Sequence, residues 1–315
     1  MSHSSKQISI VIPAFNESKN IKLLVDRIDD VFEHLSYQYE ILLVNDGSSD
    51  TTQKVLVELS QINPKVHYVE FSRNFGKDAA LKAGIDLSQS NAVITIDADL
   101  QHPPELIPQM INRWEAGYEV VYAYRKEANP HYSWFNKMAS RSFYHLINQL
   151  SDIDIENGIS DFRMMDQKVI TVLKSINEFE IFLRGMVKWV GFKQIGIEYT
   201  PAERLYGNST YSTKALIKLA LQGITSFSIK PLYTAVYLGF LFSVLSLLYI
   251  PYVIYSFYIG AEVHGWASVI MTIVFFGGLQ LVILGIIGIY IGKLFLQSKQ
   301  RPNYIIRNTS LKGSQ

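Results

Sequence analysis

The chain has 315 residues and nearly balanced charge, 29 Lys and Arg against 28 Asp and Glu. That length holds one large domain or two small ones, and the balance leaves no electrostatic footprint for bulk nucleic-acid binding. The absence of cysteine excludes disulfides, thiolate metal sites and a cysteine nucleophile.

Residues 1–7 are polar and lack the apolar core of a signal peptide. A β-branched run at 8–12 predicts the first strand. A helix follows over 18–35, with Ile21, Leu24, Val25, Ile28 and Phe32 at helical spacing. Residues 40–44 form the second strand, closed by Asn45-Asp46-Gly47-Ser48-Ser49-Asp50, which offers several helix N-caps. A third strand at 66–71 leads into the loop 72–78 and a helix to about residue 87. The fourth strand, 93–96, ends in Asp97-Ala98-Asp99-Leu100-Gln101; Pro103 and Pro104 then stop it and open the next helix. The fifth, 120–124, ends at Arg125.

Strands alternate with helices, and each polar cluster directly follows a strand. This is an α/β pattern with a mostly parallel sheet, where ligands bind outside the strands' carboxyl ends. Two carboxylates and an amide oxygen at one strand end, Asp97, Asp99 and Gln101, suit Mg²⁺ or Mn²⁺, ions that usually share their ligands with a phosphate. A polar strand end with a solvated turn would look the same in isolation. A dinucleotide fold would need Gly-x-Gly-x-x-Gly after the first strand; Pro13-Ala14-Phe15-Asn16-Glu17 stands there instead, and no Walker loop occurs.

Residues 231–261 and 266–292 contain no charged side chain. Each run exceeds the roughly 20 residues that cross a bilayer core of about 30 Å. Two transmembrane helices are therefore expected, with Pro251 kinking or ending the first. Lys214, Lys218 and Lys230 precede the pair, and Lys293, Lys299, Arg301, Arg307 and Lys312 follow it. The connector carries only Glu262 and His264. The positive-inside rule places both flanks in the cytoplasm. The expected organisation is a catalytic domain at 1–212, an amphipathic juxtamembrane helix at 213–229, a membrane hairpin at 230–293 and a cytoplasmic tail at 294–315. The juxtamembrane segment sets Lys214 and Lys218 against Ala215, Leu216, Leu219, Ile224 and Phe227. It could lie in the interface plane or be a plain packing helix.

The strand-end motifs at 11–17, 45–50, 73–77 and 97–101 together resemble the inverting GT-A (Rossmann-like) glycosyltransferases of family 2. Ser160-Asp161-Phe162-Arg163-Met164-Met165-Asp166, Phe182-Leu183-Arg184-Gly185 and Arg204-Leu205-Tyr206-Gly207-Asn208-Ser209-Thr210-Tyr211 are similar to the polyprenyl-phosphate sugar synthases within it. That group holds the dolichol-phosphate mannose synthases and the bacterial bactoprenol glucosyltransferases. The resemblance implies transfer of a hexose, glucose from UDP-glucose in first place and mannose from GDP-mannose as the alternative. The acceptor would be a polyprenyl phosphate such as undecaprenyl phosphate, at the cytoplasmic face of the cell membrane. An idle scaffold of the same fold is the rival of a different class. A processive polysaccharide synthase would carry Gln-x-x-Arg-Trp, which is not in the sequence. Homo-oligomer formation is left open.

By the same resemblance, Pro13, Phe15 and Glu17 would flank the nucleotide base and ribose, and Asp46 would accept from a base N–H unless it only builds an Asx-turn. Arg73 and Lys77 would lie near the nucleotide, or be solvated loop charges. Asp97, Asp99 and Gln101 would bind Mg²⁺ or Mn²⁺. His102, where relatives often carry an acid, reads as a solvated loop histidine rather than a ligand. Asp161 would be the base or the acceptor-orienting carboxylate, or else a structural acid; Ser160 precedes it where relatives have Gly. Arg125, Arg184 and Arg204 would clamp phosphates through their planar forks, a surface ion pair being the alternative for each. Ser209 would join them, and Lys214 would stand in for a lysine that relatives carry at Thr210.

Overall fold

A central parallel strand buried on both faces must be apolar almost throughout, and residues 7–14 meet that demand. In the computed structural model, which describes residues 6–125, 159–200, 225–226, 228–260 and 265–311, they form strand β1 (Gln7–Ala14). Around it lie β2 (Gln38–Asn45), β3 (Val66–Phe71), β4 (Ala92–Thr95), β5 (Val120–Arg125), β6 (Ile159–Asp166), β7 (Gln194–Tyr199) and β8 (Ile306–Thr309). One sheet runs in the order β7-β5-β6-β4-β1-β2-β3-β8. The pairings β1–β2, β1–β4, β2–β3 and β5–β7 are parallel. Only β6 and β8 run against the rest. The first five strands lie where the sequence predicts them; β6, β7 and β8 were not expected.

Helices cover both faces. Ile10 and Ile12 point to one core, completed by helix α1 (Ile21–Glu33) and helix α4 (Ile107–Glu115). Val11 points to the other, beneath α3 (Lys77–Leu87), α5 (Gln167–Ser175) and α6 (Leu183–Trp189). Helix α2 (Thr52–Ile62) packs beside β3. The buried stripe of α1 is the one its spacing predicts, Ile21, Leu24, Val25, Ile28 and Phe32. Each such side chain contributes roughly 1.5–3 kcal/mol when fully buried. The helix starts three residues later than expected, because the Glu17 carbonyl accepts from the N–H groups of Asn20 and Ile21 and holds a turn there.

Two long helices follow: α7 (Lys230–Tyr258), with Pro251 inside it, and α8 (Trp266–Ser298). Pro251 does not end α7. Within α8, Ser268–Ser298 is long and apolar enough to cross a membrane, with mean hydropathy 2.5. By the same measure, taken over the described residues alone, Lys230–Leu245 counts as a shorter apolar helix and one helix has the span length. Most of the 201–227 segment, including the expected juxtamembrane helix, lies outside the described residues.

Beyond α8 the chain returns to the sheet. The Gln297 side chain accepts from the Phe179 N–H (2.7 Å) and donates to the Asn177 carbonyl (2.8 Å). Lys293 pairs with Glu180 at 2.9 Å. Tyr304 stacks on Phe71, centroids 5.3 Å apart, and its hydroxyl donates to Asp86. Strand β8 then covers the free edge of β3, and Arg307 donates to the Ser72 carbonyl at 2.7 Å. Tyr304→Ala should therefore cost about 2 kcal/mol and lower Tm by several degrees in detergent. Tyr304→Phe should cost about 1 kcal/mol or less. Equal melting of all three proteins would mean the tail does not hold the sheet.

Candidate active site

The carboxyl ends of the parallel strands gather the polar residues. Because β6 runs antiparallel beside β4, with Thr95 opposite Arg163, its first residues reach the same rim. Asp161 thereby meets the loop after β4. The Thr95 hydroxyl donates to the Asp161 carbonyl at 2.5 Å and fixes that register.

Asp161 is 4 % exposed. A lone carboxylate there would be very costly, and three cations surround it. Arg184 donates through Nε to Oδ1 (2.6 Å) and through a terminal nitrogen to Oδ2 (2.7 Å). Lys77 Nζ donates to Oδ2 at 2.5 Å. Arg163 lies 3.9 Å from Oδ1. Burial alone would raise the Asp161 pKa; the Lys77 and Arg184 charges outweigh it and hold the carboxyl well below its ordinary range. Lys77 also contacts Asp97 Oδ1 at 2.6 Å, an ionic contact without hydrogen-bond direction. Burial would lower its pKa, but Asp97 and Asp161 together raise it.

Lys77 reaches this position from the first turn of α3. Gly76 before it has φ +102°, a conformation that glycine adopts without strain. The Asp46 carboxylate organises the loop: it accepts from the N–H groups of Phe75 (2.7 Å) and Gly76 (3.0 and 3.2 Å). Asp46 is 3 % exposed, so its visible partners are backbone amides of the third loop. Gly47, next to it, has φ +67°, and a Cβ there would lie 2.4 Å from the Arg73 carbonyl carbon. No larger residue fits that approach. Asn16 latches the first two loops, accepting from Ser49 N–H and donating its own N–H to Ser48 Oγ.

The loop after β4 is strained. Leu100, 1 % exposed, has φ 61°, a conformation that costs a non-glycine residue about 1–3 kcal/mol and clusters at functional sites. Asp99 Oδ1 accepts from the Gln101 N–H at 3.2 Å, and Arg125 donates to Gln101 Oε1 at 3.3 Å. Asp97, Asp99 and His102 each bring a ligand atom to within 4.8 Å of the others. The expectation for His102 was wrong. It is 2 % exposed, wedged against Phe162 and Tyr199, and both ring nitrogens lack a hydrogen-bond partner. Burial lowers its pKa despite the nearby acids. Two carboxylates and an orphaned imidazole fit a divalent cation.

The other expected residues fall as follows. Pro13 is half-buried at the end of β1, and Phe15 is 47 % exposed beside it. Glu17 accepts from the Asn20 side chain, and its N–H donates to Thr52 Oγ1. Arg73 stacks over the Phe75 ring and donates to the Asn74 carbonyl. Arg204, Ser209 and Lys214 lie outside the described residues. Lys77, Asp97, Asp161 and Arg184 form one network, and Arg125 joins Gln101 at its border.

Two participants were missed. Arg163 reads as a strand residue but sits 3 % exposed beneath Asp161. Asp78 reads as an ordinary first-turn acid of α3. In the fold it accepts the Leu183 N–H, the first of α6, and so supports the helix that carries Arg184. Burial, then the Asp161 charge, raises its pKa from 3.8 to about 6.

A mostly parallel sheet with an acidic rim and a polar first loop is consistent with a GT-A fold. Residues 9–173 match the family described as glycosyl transferase family 2. The chain is 44 % identical over 304 residues to the uncharacterized glycosyltransferase YkcC of Bacillus subtilis, covering 96 % of this chain and 94 % of that one. It is 39 % identical to the bactoprenol glucosyl transferase of Shigella phage SfV, covering 97 % and 100 %. Among solved structures, glucosyl-3-phosphoglycerate synthase from Mycobacterium tuberculosis with Mn²⁺, UDP-glucose and phosphoglyceric acid is similar at 16 % identity and TM-score 0.47, over 70 % of this chain and 78 % of that one. The chain belongs to glycosyltransferase family 2 and is a transferase.

Asp78 gives a pH test. Its folded pKa of about 6 exceeds the ordinary 3.8, so the folded state takes up the proton first. The cost of its charge is full above about 6 and lifts as pH falls toward 3.8. Asp78→Asn, which keeps an acceptor for the Leu183 N–H, should raise Tm most at neutral pH, and the gain should shrink on acidification. A pH-independent difference would contradict the assignment.

Proposed function

We propose that the protein transfers glucose, with inversion, from UDP-glucose to a polyprenyl phosphate such as undecaprenyl phosphate at the cytoplasmic face of the membrane. The observation that carries this reading is the near-full-length similarity to a bactoprenol glucosyl transferase, membrane helices included. The Asp97–Asp161 rim supplies the chemistry it needs. A phosphate oxygen of the acceptor attacks the sugar C1 as the C1–O bond to the diphosphate breaks, giving a polyprenyl-phosphate sugar and UDP.

Asp97, Asp99 and Gln101 would hold Mg²⁺ or Mn²⁺, whose chemistry there is to neutralise charge building on the departing diphosphate. Phe15 and Pro13 offer an apolar face for the base, beside Glu17, and Arg73 lies on the same rim. Arg125, Arg184, Arg204, Ser209 and Lys214 are the acceptor-phosphate candidates. Asp161 orients rather than takes a proton. A carboxylate held far below its ordinary range by Lys77 and Arg184 is a poor base. The acceptor needs none: a phosphate monoester with second pKa near about 6 is largely a dianion at neutral pH. Asp161 instead keeps Arg184 and Lys77 forked and aimed.

The tail supports a two-crossing anchor. Strand β8 pairs with β3 of the sheet that begins at β1, which supports a reading with both flanks on one side of the bilayer. In this reading α8 crosses the bilayer and α7 makes the return crossing.

Labelled UDP-glucose with polyprenyl phosphate and Mg²⁺ or Mn²⁺ should yield labelled lipid. Asp99→Ala should reduce it by about 100-fold or more, as should Asp161→Asn. Incorporation from GDP-mannose alone would reassign the donor, and no product with any donor would remove the reading. The pH profile of kcat/KM should rise with ionisation of the acceptor phosphate. A limb that shifts with Asp161 substitutions would restore it as the base.

A further inference from the structure

We propose that His102 is a protein ligand of the divalent cation, making this a mixed oxygen and nitrogen site that prefers Mn²⁺ to Mg²⁺. The proposal rests on the reading of Asp97 and Asp99 as cation ligands, and it assigns a role that the Asp97–Gln101 motif does not contain.

The argument begins with burial. Histidine at 2 % exposure normally has a partner for at least one ring nitrogen, as buried polar groups do. Here neither Nδ1 nor Nε2 has one. The ring is not loosely placed: Phe162 and Tyr199 flank it, with centroids 5.7 and 5.6 Å away, both tilted. Its position is therefore determined by packing, while its polar atoms are left unanswered. Asp97 is the nearest acid, with Oδ2 3.7 Å from Nδ1, beyond hydrogen-bond reach. The spacing leaves the pair facing each other without bonding. Asp99 completes the group, with all three ligand atoms within 4.8 Å of one another. Atoms converging on one cation must stand apart from each other in this way, because each bonds the ion and not its neighbour.

Lys77 engages the other Asp97 oxygen. Its ammonium contacts Asp97 Oδ1 at 2.6 Å, so positive charge is already drawn to the oxygen beside the one that faces His102. Asp97 thus meets the ammonium with Oδ1 and faces His102 Nδ1 with Oδ2.

Donor type then decides the ion. Mg²⁺ strongly favours oxygen ligands and retains water. Imidazole adds affinity along the first transition series, where Mn²⁺ still accepts carboxylate, phosphate and water oxygens. An imidazole beside two carboxylates adds a neutral nitrogen donor to a set of charged oxygens, and shifts preference away from Mg²⁺.

The test uses the full-length protein in detergent with UDP and Mn²⁺, read by pulsed electron paramagnetic resonance. A coordinated imidazole gives a nitrogen modulation on the Mn²⁺ signal, and ¹⁵N-histidine labelling of the unsubstituted protein should change its pattern. His102→Asp should still bind Mn²⁺ but lose the nitrogen modulation. Its Mn²⁺-over-Mg²⁺ preference, from competition titrations, should fall at least tenfold. His102→Gln, close in shape, should also lose the modulation. Mn²⁺ bound without nitrogen modulation in the unsubstituted protein, or modulation that survives in both variants, overturns the proposal while leaving Asp97 and Asp99 as ligands. Failure of Mn²⁺ to bind at all removes the underlying reading instead.

Discussion

The Asp161 carboxylate, gripped by Lys77 and Arg184, is the constraint on which the site depends. Its energetic sign is set by competition. Removing a carboxylate from water is costly, and an unpaired one at this depth would take up a proton instead. Two close cations and Arg163 below reverse that outcome. The consequence is geometric as well as electrostatic. Lys77 comes from α3, Arg184 from α6 and Asp161 from β6, so one ion cluster ties elements on one face of the sheet to its rim. Removing Asp161 would leave those cations repelling one another, a larger loss than the net worth of any single pair.

The supports of that cluster are themselves polar and mostly local. Asp46 orders the turn that delivers Lys77. Asp78 supports the helix that delivers Arg184. Gln297 and Lys293, at the end of α8, hold the segment just before that helix. The same cations are thus steadied from within the sheet domain and from the end of α8. Arg184 thus lies a few residues beyond the segment 177–180 that α8 touches directly.

The strands β1 to β5 were legible because each is a compact β-branched run ending in a polar loop. Strand β6 was not, since Ser160, Asp161 and Arg163 break the apolar pattern; Asp161 and Arg163 are buried through ion pairing and Ser160 through a hydrogen bond to the Ala123 carbonyl, which periodicity cannot register. Strands β7 and β8 are short and edge-placed, and β8 pairs with residues more than two hundred positions earlier, a relation no local window contains. In the site, the Asp97–Gln101 motif announced itself through residue type and position. His102 was misjudged because its exposure depends on Phe162 and Tyr199, which come from other strands. Asp78 was invisible for a related reason: an acid in a first helical turn is ordinary, and only packing reveals which helix it serves. Arg204, Ser209 and Lys214 rest on motif alone.

The late arrival of β8 bears on how the molecule is made. Until the residues beyond α8 have been synthesised, β3 presents an open edge, and open edges invite pairing with other chains. The sheet domain, though nearly all translated first, cannot be completed until the two long helices have left the ribosome. Loop closure over so many residues is slow compared with local contacts. Docking of the end of α8 on residues 177–180 shortens that search by returning the tail beside the sheet it completes, so packing of the long helices and maturation of the sheet become a single event.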